Sequence, residues 1–404
     1  MTRIAFHKKA HYFIAILIAF TLPFGKLTPL FIGLLLINWL VEGNLISKLK
    51  SLVNNKLAIL FTLLYLVHLI GLFYTNNMES GLFDIQVKLS LLIFPLIFVS
   101  NPLSKSELST VFFAFTIGLL YASIYLITRA VSLYFIENEM AFFYQEFSAL
   151  LHTSYMSMYL NFAIVWLIIN MFNTVENFPF SKISSSLLIV LFSLIIILLA
   201  SKSGILTLLL IYIVALFYLI IVQKKVIIGT VSVILIVLGL FFTQRYAPTV
   251  TSRLDNFIEA IYSESSTETT ESTSVRMLIW KSSNNIIKEN FLLGVGTGDA
   301  KDALNVEYSK NNITNALKNN LNAHNEFYQI FICLGFFGFV ILMLNIFYPI
   351  IFYREKNNLL YTYFLIIIAF NFLSESMLET QAGVLFYAFF NSIMGLKTNE
   401  KSEY

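Results

Sequence analysis

The sequence predicts an all-α integral membrane protein of about 12 transmembrane helices, with one large loop outside the cytoplasmic membrane that contains short helices. Three observations predict it. Of the 404 residues, 58% are hydrophobic and only 12% charged, with a mean hydropathy of +0.78. Soluble domains are roughly half apolar and about a quarter charged, so this few charges cannot cover a soluble surface of this size. The apolar residues come in continuous runs, and lipid leaves no backbone group to be satisfied by water, which favours helices over barrel strands. The short loops carry Lys and Arg almost entirely on one side.

A spanning helix needs about 20 mainly apolar residues. Runs of this kind lie near 11–24, 28–42, 57–74, 83–100, 110–134, 155–173, 185–200, 204–222, 226–243, 326–348, 358–374 and 383–396. The first two and the last are short. Arg3, Lys8 and Lys9 lead into an apolar stretch without a small-residue cleavage site, so the start reads as a membrane helix and not as a signal peptide. Lys48, Lys50, Lys56, Lys105, Lys182, Lys224, Lys225, Arg354, Lys356, Lys397 and Lys401 all fall on the side of this basic start. The intervening loops, such as 75–81, are nearly free of Lys and Arg. By the positive-inside pattern both termini are cytoplasmic. The expected organisation is a bundle of about nine helices over 1–243, a loop over 244–325, and C-terminal helices with a short cytoplasmic tail over 326–404.

The loop falls on the far side of the membrane. It opens with an acidic low-complexity stretch, Glu264-Ser-Ser-Thr-Glu-Thr-Thr-Glu-Ser-Thr-Ser274, expected to be mobile. Residues 275–290 then repeat apolar positions at helical spacing and read as an amphipathic surface helix, stopped by Gly294-Val-Gly-Thr-Gly298. That glycine run has the flavour of a nucleotide loop. No strand precedes it and no Lys-Ser/Thr follows, so it reads as a flexible turn. Cys333 is the single cysteine, which excludes an internal disulfide and a cysteine metal site. The five histidines show no pair at helical ligand spacing, and no metal or cofactor is expected.

Several polar residues stand out against this apolar background. His324, flanked by Asn322, Asn325 and Glu326, marks the mouth of the helix that follows. Its neutral imidazole is a usable base near neutral pH; the alternative reading makes Asn325 a helix cap and leaves His324 solvated. Arg276 sits one turn from Trp280, as an interfacial anchor or as a forked donor to phosphate. Lys202, in the short link Ala200-Ser-Lys-Ser-Gly-Ile205, either snorkels or holds an anion at a helix start. Lys88 and Arg129 lie at membrane depth, where charges usually face a cavity or a partner; Glu79, Asp84 and Glu137 are available to them. His152 leads into a helix on the loop side. Glu375 and Glu379, one helical turn apart, can share a face and balance the cations or act on a sugar hydroxyl, or equally form the solvated rim of a loop.

Lys202, Arg276, His324, His152 and the Glu375/Glu379 pair come from distant parts of the chain and fall on the outer side of the membrane. A base with two or three cations suits transfer from a lipid pyrophosphate. Here a resemblance enters. Arg276-Met-Leu-Ile-Trp280, Ile287-Lys-Glu-Asn-Phe-Leu-Leu-Gly-Val-Gly296, His324-Asn-Glu-Phe-Tyr-Gln and Leu334-Gly-Phe-Phe-Gly338 together resemble the signature of the bacterial O-antigen ligase family, whose superfamily also holds O-antigen polymerases and protein O-oligosaccharyltransferases. Ser201-Lys-Ser-Gly204 resembles the family's Ser-Arg-Gly-like element. Leu373-Ser-Glu-Ser-Met-Leu-Glu379 with Gly383 resembles its closing element.

The resemblance implies a multi-pass glycosyltransferase of the bacterial inner membrane, acting in lipopolysaccharide biosynthesis with its active site facing the periplasm. Its donor is a glycan on undecaprenyl pyrophosphate and its acceptor a hydroxyl of the lipid A core. Its partners are lipids and glycans and not nucleic acid, and it needs neither metal nor nucleotide. Carried over, His324 is the base, Arg276 grips the donor phosphate, and Lys202 stands where the family has an arginine. Lysine keeps the charge there and loses the bidentate fork. A polymerase or a protein O-oligosaccharyltransferase with the same donor stays open, as does, more remotely, a transporter of lipid-linked sugars.

Overall fold

The computed structural model describes residues 2–173, 179–225, 272–352 and 359–396, with isolated positions at 245, 251–253, 255 and 269. Among the described residues every regular element is a helix. Seven are long and apolar enough to cross a membrane, or up to eight if the pair Thr28–Glu42 and Leu45–Val53, bent by 112°, forms one span. Helices occupy the predicted runs wherever the chain is described; the run 226–243 lies outside the described residues. So do the acidic stretch 264–271, apart from Thr269, and the basic positions Arg354, Lys356, Lys397 and Lys401. Ser272 to Ser274, expected to be mobile, open a helix instead.

The chain packs as two compact units, Met1–Ala114 with Glu264–Tyr404, and Phe115–Ser263. The first begins with α1 (Arg3–Thr21), α2 (Thr28–Glu42), α3 (Leu45–Val53), α4 (Lys56–Gly71), α5 (Met78–Lys88) and α6 (Ser90–Ser100). Side chains set the starts: Asn55 caps α4 by accepting from the N–H groups of Leu57 and Ala58, both at 3.0 Å, and Asn77 caps α5 through Ser80 N at 3.1 Å. Helix α7 (Lys105–Ser132) starts in this unit and runs on into the second. The second unit holds α8 (Tyr144–Phe147), α9 (Thr153–Asn173), α10 (Lys182–Leu199) and α11 (Lys202–Phe217), with α10 and α11 both packed on α9. Asn161 of α9 donates to Gly204 O at 2.9 Å, and Gly204 leaves the room that Ser157 fills.

The rest of the first unit holds Arg276, His324 and Glu375. Helix α12 (Ser272–Glu289) buries Val275, Ile279 and Ile286, spaced to share one face. That face packs on Leu304 and Tyr308 of α13 (Ala300–Lys310), on Ala316 of α14 (Thr314–Lys318), and on Ile332, Cys333 and Leu334 of α15 (Glu326–Phe352). The amphipathic helix is therefore part of a protein core. Glu307 closes this core with an ion pair to Lys310 at 2.8 Å and a bond from Asn285 at 3.1 Å, and Lys310 holds its carboxyl below the usual carboxylate range. Helices α16 (Leu359–Phe372) and α17 (Gln381–Gly395) complete the unit, with a 3-10 turn at Met377–Glu379 between them. Phe389 of α17 meets Phe94 and Phe98 of α6 edge-on, at centroid distances of 5.3 and 5.9 Å.

Helix α15 is broken at Gly335, where φ is +62°. The glycine run expected to be a flexible turn crosses the chain at this break. Val295 N donates to Ile332 O at 2.9 Å, Gly296 N to Cys333 O at 3.0 Å, and Phe336 N to Phe291 O at 2.8 Å. Gly294 sits at φ +71°, and a Cβ there would lie 2.5 Å from the Cys333 carbonyl carbon. Thr297 Oγ1 bonds to His68 O at 2.7 Å, and the Asp299 carboxylate takes the N–H groups of Asn76 and Asn77, both at 2.7 Å. The run is a fixed junction because its carbonyl and amide partners come from three different elements.

Candidate functional site

The polar knot at the start of α15 is assembled by its neighbours. Ala323 is held from both sides: its N–H donates to Gln329 Oε1 at 3.1 Å and its carbonyl accepts from Trp280 Nε1 at 3.0 Å. Trp280 lies flat against Tyr328, with centroids 6.2 Å apart and planes 12° off parallel. Asn325 caps α15, its Oδ1 accepting from Tyr328 N at 3.1 Å. Between these fixed points His324 adopts φ +45°, in the left-handed region. A side chain there costs about 1–3 kcal/mol and persists only when its surroundings hold it. Here the holding groups are Asn322 Oδ1, which accepts from His324 N at 3.0 Å, and the Glu375 carboxylate.

Glu375 is the centre of the arrangement. It is 6% exposed. One oxygen accepts from the Arg276 guanidinium at 2.7 Å, and the other meets His324 Nδ1 at 3.1 Å. An ionised carboxylate only accepts, so Nδ1 carries the proton, and in the neutral ring Nε2 holds the lone pair. His324 and Arg276 stay partly open, with side chains 25% and 20% exposed. Arg276 spends one N–H direction on Glu375 and has further donors of its fork for a ligand.

The segment bearing Glu375 is tied down at several points. Asn325 N donates to Ser376 Oγ at 3.2 Å and Asn325 Nδ2 to Leu373 O at 3.1 Å. Glu326, fully buried, accepts from Leu378 N at 2.7 Å. Glu379 pairs with Lys88 at 2.8 Å. The expectation that Glu375 and Glu379 share a face is corrected: the 3-10 turn at Met377–Glu379 sends one to His324 and Arg276 and the other to Lys88. Lys88 is fully buried and also pairs with Asp84 on its own helix. It is committed to two carboxylates, and it bears on the site through Glu379.

Lys202, Arg129 and His152 belong to the second unit. Lys202 is the first residue of α11, is 9% exposed, and follows Ser201, whose Oγ caps the helix through Gly204 N at 3.3 Å. Arg129 donates to Glu146 O at 2.7 Å. His152 is exposed, and its Nδ1 accepts from Ser154 N at 3.4 Å. Sequence reasoning passed over Arg253, which donates to Ala200 O at 3.0 Å and covers the Tyr144 ring at 3.6 Å. It also passed over Ser376 and Gln329. The signal for Ser376 was its place beside Glu375; nothing in the local pattern pointed to Arg253. Among the described residues no group of three His, Cys, Asp or Glu is arranged to hold a metal ion.

A base-competent histidine oriented by a buried carboxylate, beside an arginine with spare donors, is equipped to take a proton next to a bound anion. Comparison with known proteins agrees with the motifs. No curated protein matches the chain. The family model described as O-Antigen ligase matches residues 187–343, a stretch that includes Lys202, Arg276 and His324, so this part of the chain is similar to that family.

Proposed function

We propose that the protein moves a glycan from undecaprenyl pyrophosphate to an acceptor hydroxyl, ligating O-antigen to the lipid A core on the periplasmic face of the inner membrane. The observation that carries the reading is the single buried carboxylate, Glu375, holding both His324 and Arg276. In this scheme His324 Nε2 takes the proton of the acceptor hydroxyl as its oxygen attacks the anomeric carbon. The bond from that carbon to the phosphate oxygen breaks, and undecaprenyl pyrophosphate leaves with both electrons. Arg276 offsets the negative charge that builds on the departing oxygen. Glu375 stabilises the imidazolium that forms and keeps the ring turned with Nε2 outward. The position of the knot fits a substrate that is half lipid: the isoprenoid lies among the helices and the pyrophosphate emerges where α15 begins.

The test is the glycan profile of a strain lacking the protein, complemented with wild type or with His324→Ala. Long polymer accumulating on undecaprenyl with bare lipid A core, not corrected by His324→Ala, is the expected result. Single repeat units capped onto lipid A indicate a polymerase. Normal lipid A glycans with unglycosylated periplasmic proteins indicate the protein-directed transferase. Full complementation by membrane-inserted His324→Ala removes the base assignment.

A further inference from the structure

A second concave surface lies in the first unit and shares no lining residue with the His324 site. It is a cleft of about 900 Å³ between the start of α5 and the segment that leads from the glycine junction into α13. Its two walls come from residues more than two hundred positions apart, and they are locked together. The Asp299 carboxylate bridges Asn76 N and Asn77 N, Gly298 N donates to Thr75 Oγ1 at 2.8 Å, and Tyr74 Oη donates to Leu293 O at 2.6 Å. The cleft is thus formed in advance of any ligand, as small-molecule sites usually are.

The lining has a definite hydrogen-bonding bias. Each lining amide commits one of its two N–H donors internally: Asn76 Nδ2 to Asp299, Asn77 Nδ2 to Asp302 and Asn290 Nδ2 to Ile286 O. What remains is mainly acceptors: the side-chain carbonyls of Asn76 and Asn290, and the carboxylates of Glu79 and Asp302. No Lys or Arg lines it among the described residues. A phosphate or other anion finds no counter-charge here. A ligand that brings many donors fits, and a sugar brings one with each hydroxyl. The apolar part of the wall, Val295, Val306 and the ring of Tyr74, suits the C–H faces of such a ligand. The volume holds several sugar rings and far exceeds a single cation.

We propose that this cleft binds an uncharged, hydroxyl-rich stretch of glycan, apart from the pyrophosphate site. The proposal rests on the glycosyl-transfer reading and adds to it a place for the sugar chain itself. The test is saturation-transfer NMR on the full chain in lipid nanodiscs. Two probes distinguish the source: glycan released by mild acid from the lipid-linked donor, and core oligosaccharide released from lipopolysaccharide. Val306→Trp fills the cleft and Glu79→Lys caps its acceptors; both positions are exposed, so the fold tolerates them.

One probe should bind the wild type, with Kd raised about tenfold or more by either cleft variant and unchanged by His324→Ala. The probe that binds names the donor or the acceptor chain. The proposal is overturned if neither probe binds, or if the cleft variants bind as wild type does. It is also overturned if only His324→Ala loses binding, or if Mg²⁺ or spermidine displaces the probe, which marks a cation site. Should His324→Ala keep full transfer activity while the cleft variants lose the glycan, the base assignment falls and the cleft stands.

Discussion

Replacing Glu375 with Gln tests the central arrangement with little change of shape. The carboxylate accepts two charge-assisted hydrogen bonds, from Arg276 at 2.7 Å and from His324 Nδ1 at 3.1 Å. Gln offers one oxygen and one NH₂, and the NH₂ cannot accept from either partner. If the oxygen turns to Arg276, the shorter bond, the amide faces Nδ1 and favours the tautomer with the proton on Nε2. That tautomer cannot take a proton from a hydroxyl. Losing one hydrogen bond to a charged group costs about 1.5–3 kcal/mol. At about 1.4 kcal/mol per factor of ten, transfer should slow about 10- to 140-fold if that bond is realised in the transition state. The assay is turnover of a labelled lipid-linked glycan in proteoliposomes, with enzyme amount normalised. Donor KM should change less than turnover, because Arg276 keeps its partner. Wild-type turnover in Glu375→Gln would refute the orienting role of the carboxylate.

Other outcomes follow from the packing. Gly294→Ala should destabilise the protein by more than about 2 kcal/mol, since the residue sits at φ +71° and its Cβ meets the Cys333 backbone; Gly33→Ala, with nothing within 4 Å, should melt like wild type in detergent. Lys88→Met leaves the half-buried Asp84 and Glu379 without their cation, a loss of up to about 3–5 kcal/mol, and should clear the protein from the membrane; adding Asp84→Asn and Glu379→Gln should restore its level on an immunoblot. Glu307→Gln should lower the melting temperature at neutral pH. The native carboxyl is held below its ordinary value of 4.5, so its contribution is present above that value and is lost as the pH falls through the depressed one. Melting curves of variant and wild type should therefore converge in acid, and a constant gap at every pH would remove the ion pair as the cause. Trp280→Phe, which loses the bond to Ala323 O and keeps the stack on Tyr328, should cost about 1 kcal/mol and should weaken transfer by freeing the residue before His324; unaltered turnover would show that the bond does not matter to the ring.

What the sequence made legible was whatever depends on local pattern. Apolar runs gave helices at the described positions because lipid leaves the backbone no alternative. His324, Asn325 and Glu326 stood out because polar residues at the edge of an apolar run need a reason. Two features were not legible. The divergence of Glu375 and Glu379 depends on a 3-10 turn of three residues, which carries no signature of its own. The junction at Gly294 to Asp299 was misread as flexible because its partners, Gly71, Asn76 and Cys333, are set by long-range packing. Glycine there permits a backbone crossing, and a single sequence shows the permission without the crossing.

The pairing of Lys88 also has a consequence for biogenesis. Its two carboxylate partners leave the ribosome at very different times. Asp84 lies four residues away on the same helix, whereas Glu379 follows 291 residues later. A lone lysine entering the bilayer is costly, but an Asp84–Lys88 couple inserts as a nearly neutral dipole carried on one helix. It can wait in that form while most of the chain is made. When Glu379 arrives, it adds a second contact to Lys88 and brings Glu375 with it. The histidine acquires its carboxylate only once residue 375 has been made, so a nascent chain short of it lacks the assembled cluster of Arg276, Glu375 and His324.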